Sequence, residues 1–386
     1  MNKINTILLL VFLIANNTLF AQNKFSSIKE KYKISGTITG LQDTSVMLAY
    51  YFGGKQYATD TANVKDGRFI FTGKKELKGG MYLVVLSDQR YFDIIISEQM
   101  FSFTTEIEDL IGSMKFKNSK ENTSFYEYLN FITKQQQQIT PIRKALELSK
   151  GEEKLELEKK VKDIDNKVKK YRSDFIQKNK NSFFSKIIKA TTEIEIPESP
   201  LDSTGNPDKT FPYRYYKKHF WDNIDLSDEK MLRTPIFFNK MDQYLEKLTP
   251  KHPDSINISA DILIEKARAN DEIFEYVVSY ITSTYERSKI MGMDAVFVHM
   301  VEKYYITKQC DWIDSTQLVK IIDRAQKIAP NLIGRVASEF VDFYGRPFMK
   351  DPEENTHTLQ KINADYTLLV FFGPTCGHCK KEMPKV

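Results

Sequence analysis

The spacing of apolar residues changes character three times along the 386-residue chain. From Lys33 to Ile107 it runs in twos. "KISGTITG" alternates through Ile34, Gly36 and Ile38. "KDGRFIFTG" sets a turn at Asp66-Gly67, then Phe69 and Phe71 on one face, and "MFSFTTEI" alternates through Phe101 and Phe103. "SVMLAYYFGG" ends in a glycine pair, while "GMYLVVLS" and "RYFDIIIS" are nearly continuous apolar runs around Asp88-Gln89. Successive side chains leave opposite faces of a pleated backbone, so period two with turn residues between runs predicts strands. Six such strands over residues 30–121 predict an antiparallel β sandwich or small barrel.

From about Asn122 the spacing becomes three and four. Ile139, Ile142 and Leu146 lead into Val161, Ile164, Val168, Tyr171 and Phe175, which predicts a long amphipathic helix with lysines on its wet face. Asp and Glu are interleaved with those lysines, so the face reads as solvated rather than as a polyanion site. The proline-rich stretch from Ile196 to Pro212 predicts a long loop. Helical spacing then resumes in "PIFFNKMDQYLEKL", "DEIFEYVVSYITSTY", "DAVFVHMVEKYYI" and "STQLVKIIDRAQKIA", with no fixed repeat. Residues 122–344 are expected to be an all-α domain. At Gly345 the pattern changes again: an extended lead, a turn at Asp351-Pro352, and a wholly apolar strand from Thr367 to Phe372 that Gly373-Pro374 interrupts. The chain is thus expected to be multidomain, with an α/β segment at 345–386.

The ends and the charges narrow the setting. Lys3, the apolar run Ile7–Phe20 and Ala21 before Gln22 form the pattern of a cleaved secretory signal over residues 1–21, rather than an uncleaved anchor. The expected location is the periplasm or cell envelope, with no transmembrane segment once the signal is removed. No later run approaches the roughly 20 apolar residues a spanning helix needs. The 56 basic and 51 acidic residues are too evenly mixed for a nucleic-acid partner.

Only three cysteines occur, Cys310, Cys376 and Cys379, too few for a disulfide framework in a chain this long. Cys310 stands alone and reads as an inert packed thiol. Cys376 and Cys379 lie in "FFGPTCGHCKKEMPKV", where a strand gives way to a helix. A thiolate is the reactive form of cysteine, and the unpaired N–H groups of a helix N-terminus favour it, so the Cys376 thiol is expected to titrate low. Cys379, three residues on, shares its helix face and lies close enough to close a redox-active disulfide, Cys376–Cys379, with no other cofactor. His378, if protonated, further favours the thiolate. Lys380 and Lys381 are expected to face solvent, and Pro384 to sit inside the helix and kink it. One Cys-x-x-Cys supplies two of the four ligands a structural zinc needs, so no metal is expected. His299, among Phe297, Met300 and Val301, reads as a structural histidine.

The segment "LLVFFGPTCGHCKKEMP" resembles the active-site segment of the TlpA/ResA-like thiol-disulfide oxidoreductases, a thioredoxin-fold family of bacterial envelopes. The resemblance implies Cys376 as the attacking cysteine, Cys379 as the resolving one and Pro384 as the helix-kinking proline. Thr375 departs from the pattern: many relatives carry Trp there, so their flat apolar surface beside the dithiol is not implied. Upstream, "SGTITG", "DGRFIFTG", "YFDIIIS" and "FYEYL" resemble a DUF4369-like β domain found before such modules in Bacteroidetes-type bacteria, and the helical middle resembles DUF5106. The implied partners are thiols and disulfides of envelope proteins and an unidentified redox partner. A thioredoxin fold needs further strands and helices after this helix, so the chain is expected to be C-terminally truncated. It is expected to react with alkylating reagents but to turn over little. Two other readings are a peroxiredoxin-type peroxidase and a non-catalytic envelope binding or scaffold protein.

Overall fold

The computed structural model describes residues 30–386 except 202, 352, 372, 374 and 386; the signal pattern at 1–21 lies outside them. The chain divides after Tyr244 into two compact units.

The first unit holds eight strands: β1 (Tyr32–Thr39), β2 (Ser45–Phe52), β3 (Lys55–Asn63), β4 (Arg68–Gly73), β5 (Gly80–Val85), β6 (Tyr91–Ile96), β7 (Met100–Glu106) and β8 (Lys115–Lys117). They form two open four-stranded sheets, ordered β4-β1-β7-β8 and β3-β2-β5-β6. The arrangement is therefore a sandwich and not a closed barrel. Every pair is antiparallel except β1 with β7, which is parallel. The two strands beyond the expected six are β3, whose side chains are mostly exposed, and the three-residue β8.

The alternating residues meet between the sheets. Ile34, Ile38, Phe69, Phe71, Phe101 and Phe103 are buried in one sheet, and Phe92 of the other meets Phe103 edge-on at 5.5 Å. Gly36 makes room for these rings: a Cβ there would lie 2.3 Å from the Phe69 ring and 2.8 Å from that of Phe103. The turn between β3 and β4 uses Asp66 and Gly67, both at positive φ, 50° and 70°, as a two-residue hairpin turn requires. The continuous apolar run of β5 has a simple cause. Met81, Tyr82, Leu83 and Val84 are all buried because the 3₁₀ turn Glu229–Arg233 packs on the side away from the core. Gly80 lets it approach, since a Cβ there would sit 2.3 Å from the Arg233 side chain.

The single long helix expected from Ile139 to Phe175 is instead a hairpin of α1 (Lys120–Leu148) and α2 (Gly151–Lys178). Gly151, at φ 62°, marks the reversal, a conformation that costs glycine little. The helices run along each other through stacked Phe131 and Tyr171 rings, 3.8 Å apart, and a bond from Arg172 Nε to Tyr128 OH of 2.9 Å. At its other end α1 is tied to the sandwich. The buried Asn122 amide accepts from Ile95 N and donates to Ile95 O, both at 2.7 Å, and Tyr126 OH donates to Asp93 O at 2.9 Å. The outer edge of β6 thus finishes on helix side chains, which closes it to strand addition. Glu121 of α1 caps α3 (Phe183–Ala190), accepting from Phe183 N at 2.9 Å and Phe184 N at 3.1 Å. After a long loop come α4 (Phe211–His219) and α5 (Pro235–Asp242).

The second unit packs α6 (Pro253–Ala267), α7 (Asp271–Glu286), α8 (Asp294–Met300) and α9 (Ser315–Ile328) around Leu263, Ile264, Val277, Ile281 and Phe297. A π turn, Val301–Tyr305, follows α8. It lets His299, Lys303 and Tyr304 all reach the Asp261 carboxylate, at 3.0, 2.8 and 2.7 Å. Asp261 is far away in sequence, which is why no spacing rule paired it with His299. Among the described residues no helix is long and apolar enough to cross a membrane.

This packing predicts alkaline sensitivity. Burial, then Glu246 for Tyr285 and Asp261 for Tyr304, pushes both phenols above the ordinary tyrosine value. Their contribution to stability is complete below about pH 10, the unfolded value, and is lost as pH rises toward the folded one. Each phenol should remove about 1.4 kcal/mol per pH unit in that window. The two tryptophans fall one to each unit, Trp221 in the first and Trp312 in the second. Urea unfolding of a Trp221→Phe variant, followed by Trp312 fluorescence, should therefore show a midpoint that falls steeply above about pH 10. A flat midpoint would mean that these phenols already titrate normally.

Candidate active site

All three cysteines are free thiols, in contrasting surroundings. Cys310 is buried, 4% exposed, and its thiol donates to Tyr304 O at 3.6 Å. Burial pushes it up to about 12, so it behaves as a small apolar side chain at neutral pH.

Cys376 is exposed and forms the N-cap of the short helix α10 (Gly377–Glu382). Its backbone is extended, at φ −72° and ψ 114°, and its Sγ accepts the Cys379 N–H at 3.3 Å. A cap residue normally offers a side-chain oxygen to an orphan N–H of the first turn; here sulfur takes that place. The Cys376 carbonyl accepts Lys380 N at 3.1 Å and opens the helical ladder. The Cys376 thiol is held below its usual value, chiefly by hydrogen bonding from the Cys379 side chain, then by the backbone N–H groups of Cys379 and His378. Cys379 is half-buried one turn along.

The remaining expected residues take simpler places. The His378 imidazole is exposed and makes no hydrogen bond or ion pair among the described residues. The helix-start N–H groups and Cys379, not the imidazole, therefore shift the neighbouring thiol. Thr375 is exposed in the turn before Cys376, and Lys380 and Lys381 face solvent. Pro384 lies in the 3₁₀ turn Met383–Lys385, past the end of α10, not inside the helix as a kink. A proline lacks the N–H and presses on the carbonyl four residues back, so the α pattern ends at Glu382.

The turn expected near Asp351 is present as a small hairpin. β9 (Met349–Lys350) pairs with β10 (Thr356–His357), and Asp351 N donates to Asn355 O at 3.1 Å. Residues 367–371, expected as a strand, form none, and Leu368 and Phe371 are 77% and 80% exposed. A strand is held by a ladder to a neighbour; among the described residues from 345 onward, the β9–β10 pair is the sole ladder. Among the described residues no cluster of three or more His, Cys, Asp or Glu is arranged to hold a metal ion.

Two regions of the chain match family models. Residues 32–125 match DUF4369 and residues 149–331 match DUF5106, each described as a domain of unknown function. The first match spans the sandwich and the start of α1; the second begins at the α1–α2 turn and ends just past α9. Among solved structures the chain is similar to a thioredoxin-like protein from Bacteroides caccae. The likeness has 17% sequence identity and a TM-score of 0.33, and it covers 50% of this chain and 66% of that one. None of the curated proteins matches.

Proposed function

We propose that this protein is an exported thiol-disulfide oxidoreductase of the TlpA/ResA-like type, exchanging disulfides with proteins of the cell envelope through Cys376 and Cys379. The observation that carries the reading is the capping geometry. An exposed sulfur accepts an N–H at a helix start, its thiol titrates low, and a second cysteine follows one turn later. The signal pattern at 1–21 supports export. No cofactor beyond the Cys376–Cys379 disulfide is needed.

In the reducing direction, the Cys376 thiolate attacks one sulfur of a substrate disulfide. The other substrate sulfur leaves as a thiolate and takes a proton from solvent. Cys379 then gives up its proton and attacks Cys376 Sγ. The Cys376–Cys379 disulfide forms, the second substrate thiol departs, and two electrons have passed to the substrate. The oxidising direction is the reverse. Cys379 is the natural resolving residue because it is half-buried and next to the sulfur it must attack. A Cys379→Ser variant, supplied with its Cys376 thiol reduced, should therefore accumulate mixed disulfides with disulfide-bonded proteins from a non-reduced envelope extract, and Cys376→Ser none. Non-reducing gels and mass spectrometry read the result. Complexes on Cys376→Ser, or adducts on Cys310, would overturn the assignment.

A further inference from the structure

Within the first unit, a cleft of about 700 Å³ opens between α1, the Gln89–Tyr91 turn before β6, and the loop 107–112 after β7. That size falls in the range of small-ligand sites, roughly 300–1,000 Å³. The dithiol plays no part in it, and neither does anything in the reading above.

Its walls are fixed. Arg90 is held by Asp88, Nε to Oδ2 at 2.8 Å, and by the Ile107 carbonyl at 2.9 Å. The loop is tied to itself: Gly112 N donates to Asp109 Oδ1 at 2.8 Å, Ser113 Oγ to Asp109 O at 2.7 Å, and Glu106 N to Ser113 Oγ at 2.8 Å. Walls already ordered lose little freedom when a ligand arrives.

The groups facing the space are mostly unspent. Asn130, Lys134 and Gln137 fall on one face of α1, at spacings of three and four. Their side chains, and that of Gln89 opposite, make no hydrogen bond among the described residues. Side-chain amides both donate and accept. Across the cleft Tyr91 and Ile111 present apolar surface, 56% and 41% exposed. Arg90 and Lys134 are balanced by Glu108 and Asp109, so the lining carries no net charge.

We propose that this cleft binds a short neutral oligosaccharide, with its hydroxyls on the Gln89, Asn130 and Gln137 amides and the flat face of one sugar ring on Tyr91. The balanced charge gives an anionic or cationic ligand no advantage. An extended peptide would need a free strand edge or apolar side-chain pockets. The nearby β6 edge is taken up by Asn122 and Tyr126, and amide and charged side chains outnumber the apolar ones in the lining, set among apolar surface rather than around separate apolar pockets. A sugar needs many paired donors and acceptors beside one flat apolar face, which is what this lining supplies.

The test is isothermal titration of the full chain with cellotriose, maltotriose and N,N′-diacetylchitobiose at millimolar concentration, with an uncharged Gly-Ser-Ala peptide as the other arm. At least one sugar should bind saturably. Gln137→Ala combined with Asn130→Ala should weaken it at least about tenfold, a loss equal to one net hydrogen bond. Tyr91→Ala should weaken it similarly while Tyr91→Phe retains it, with unchanged melting of each variant as the folding control. No binding by any of the three sugars, binding indifferent to Tyr91→Ala and the double variant, or binding of the peptide alone would each overturn the proposal.

Discussion

Replacing Cys376 by serine should abolish rapid labelling of the native protein by iodoacetamide at neutral pH, whereas Cys310→Ser should leave it unchanged. The contrast follows from thiolate populations. Cys310, held near 12, presents about one thiolate in 10⁵ at pH 7, and that one buried. Cys376 is exposed, and its sulfur is held low by Cys379 and the first-turn N–H groups. The labelling rate should rise with pH through a midpoint below that of an unstructured cysteine peptide, because a lowered value keeps the thiolate populated at lower pH. The difference in rate between the two sites should exceed about a hundredfold. His378→Ala should move this midpoint little, since the imidazole makes no hydrogen bond or ion pair among the described residues; removal of the Cys379 side chain should raise it. A midpoint that tracks His378 and ignores Cys379 would assign the shift to the wrong group. Quenched time courses with peptide mapping separate the three sites.

Asn122→Leu should destabilise the first unit by about 2–5 kcal/mol, because it leaves Ile95 N–H and C=O buried without partners. The substitution nearly conserves volume, so the loss reports the two hydrogen bonds rather than a cavity. Asn122→Asp should fare no better, since a carboxylate cannot donate to the Ile95 carbonyl and is itself buried. Asn130→Ala, two turns along the same helix, where the side chain lines the open cleft without a hydrogen bond among the described residues, should stay within about 0.5 kcal/mol of wild type. Urea unfolding of a Trp312→Phe background, read by Trp221 fluorescence, isolates this unit. The Leu variant should also show increased light scattering, because the β6 edge is then free to pair with another chain. Equal stability of the Leu and wild-type proteins would show that the amide is not structurally required.

Much of the first unit was legible from its residues. Phe69 and Phe71, or Phe101 and Phe103, can share a face only in a strand, and Asp66-Gly67 names its own turn. β5 is apolar throughout and was legible as buried, although what covers its outer face, the turn at Glu229–Arg233, is remote in sequence. Strand β3 was missed because both its faces are largely wet, so its residues carry no alternation. The α1–α2 hairpin was read as one helix because the apolar spacing on the two arms is similar and a lone glycine ends it. The dithiol was legible because its chemistry is local: a cap and its first-turn partner lie three residues apart. The Asp261 cluster and the polar cleft were not, since each gathers residues from separate segments whose individual signals are unremarkable solvent-facing polarity. The run at 367–371 misled in the opposite sense. Apolar content predicts burial, but a strand also needs a neighbour to bond with.

The parallel pairing of β1 with β7 has a consequence for how the sandwich assembles. β2 with β3 and β5 with β6 are neighbours in the chain, and their contacts close short loops. Ile34 meets Phe101 only after every strand of the opposite sheet has been passed, so the central ladder of the first sheet closes the longest loop of any strand pair in the sandwich. Loop-closure entropy must be met before that ladder returns any free energy. The hairpins of the β3-β2-β5-β6 sheet should therefore form early, while the β1–β7 ladder forms last and sets the folding rate. Until then β1 waits with Ile34 and Ile38 uncovered, and the newly made chain is most open to mispairing during that interval.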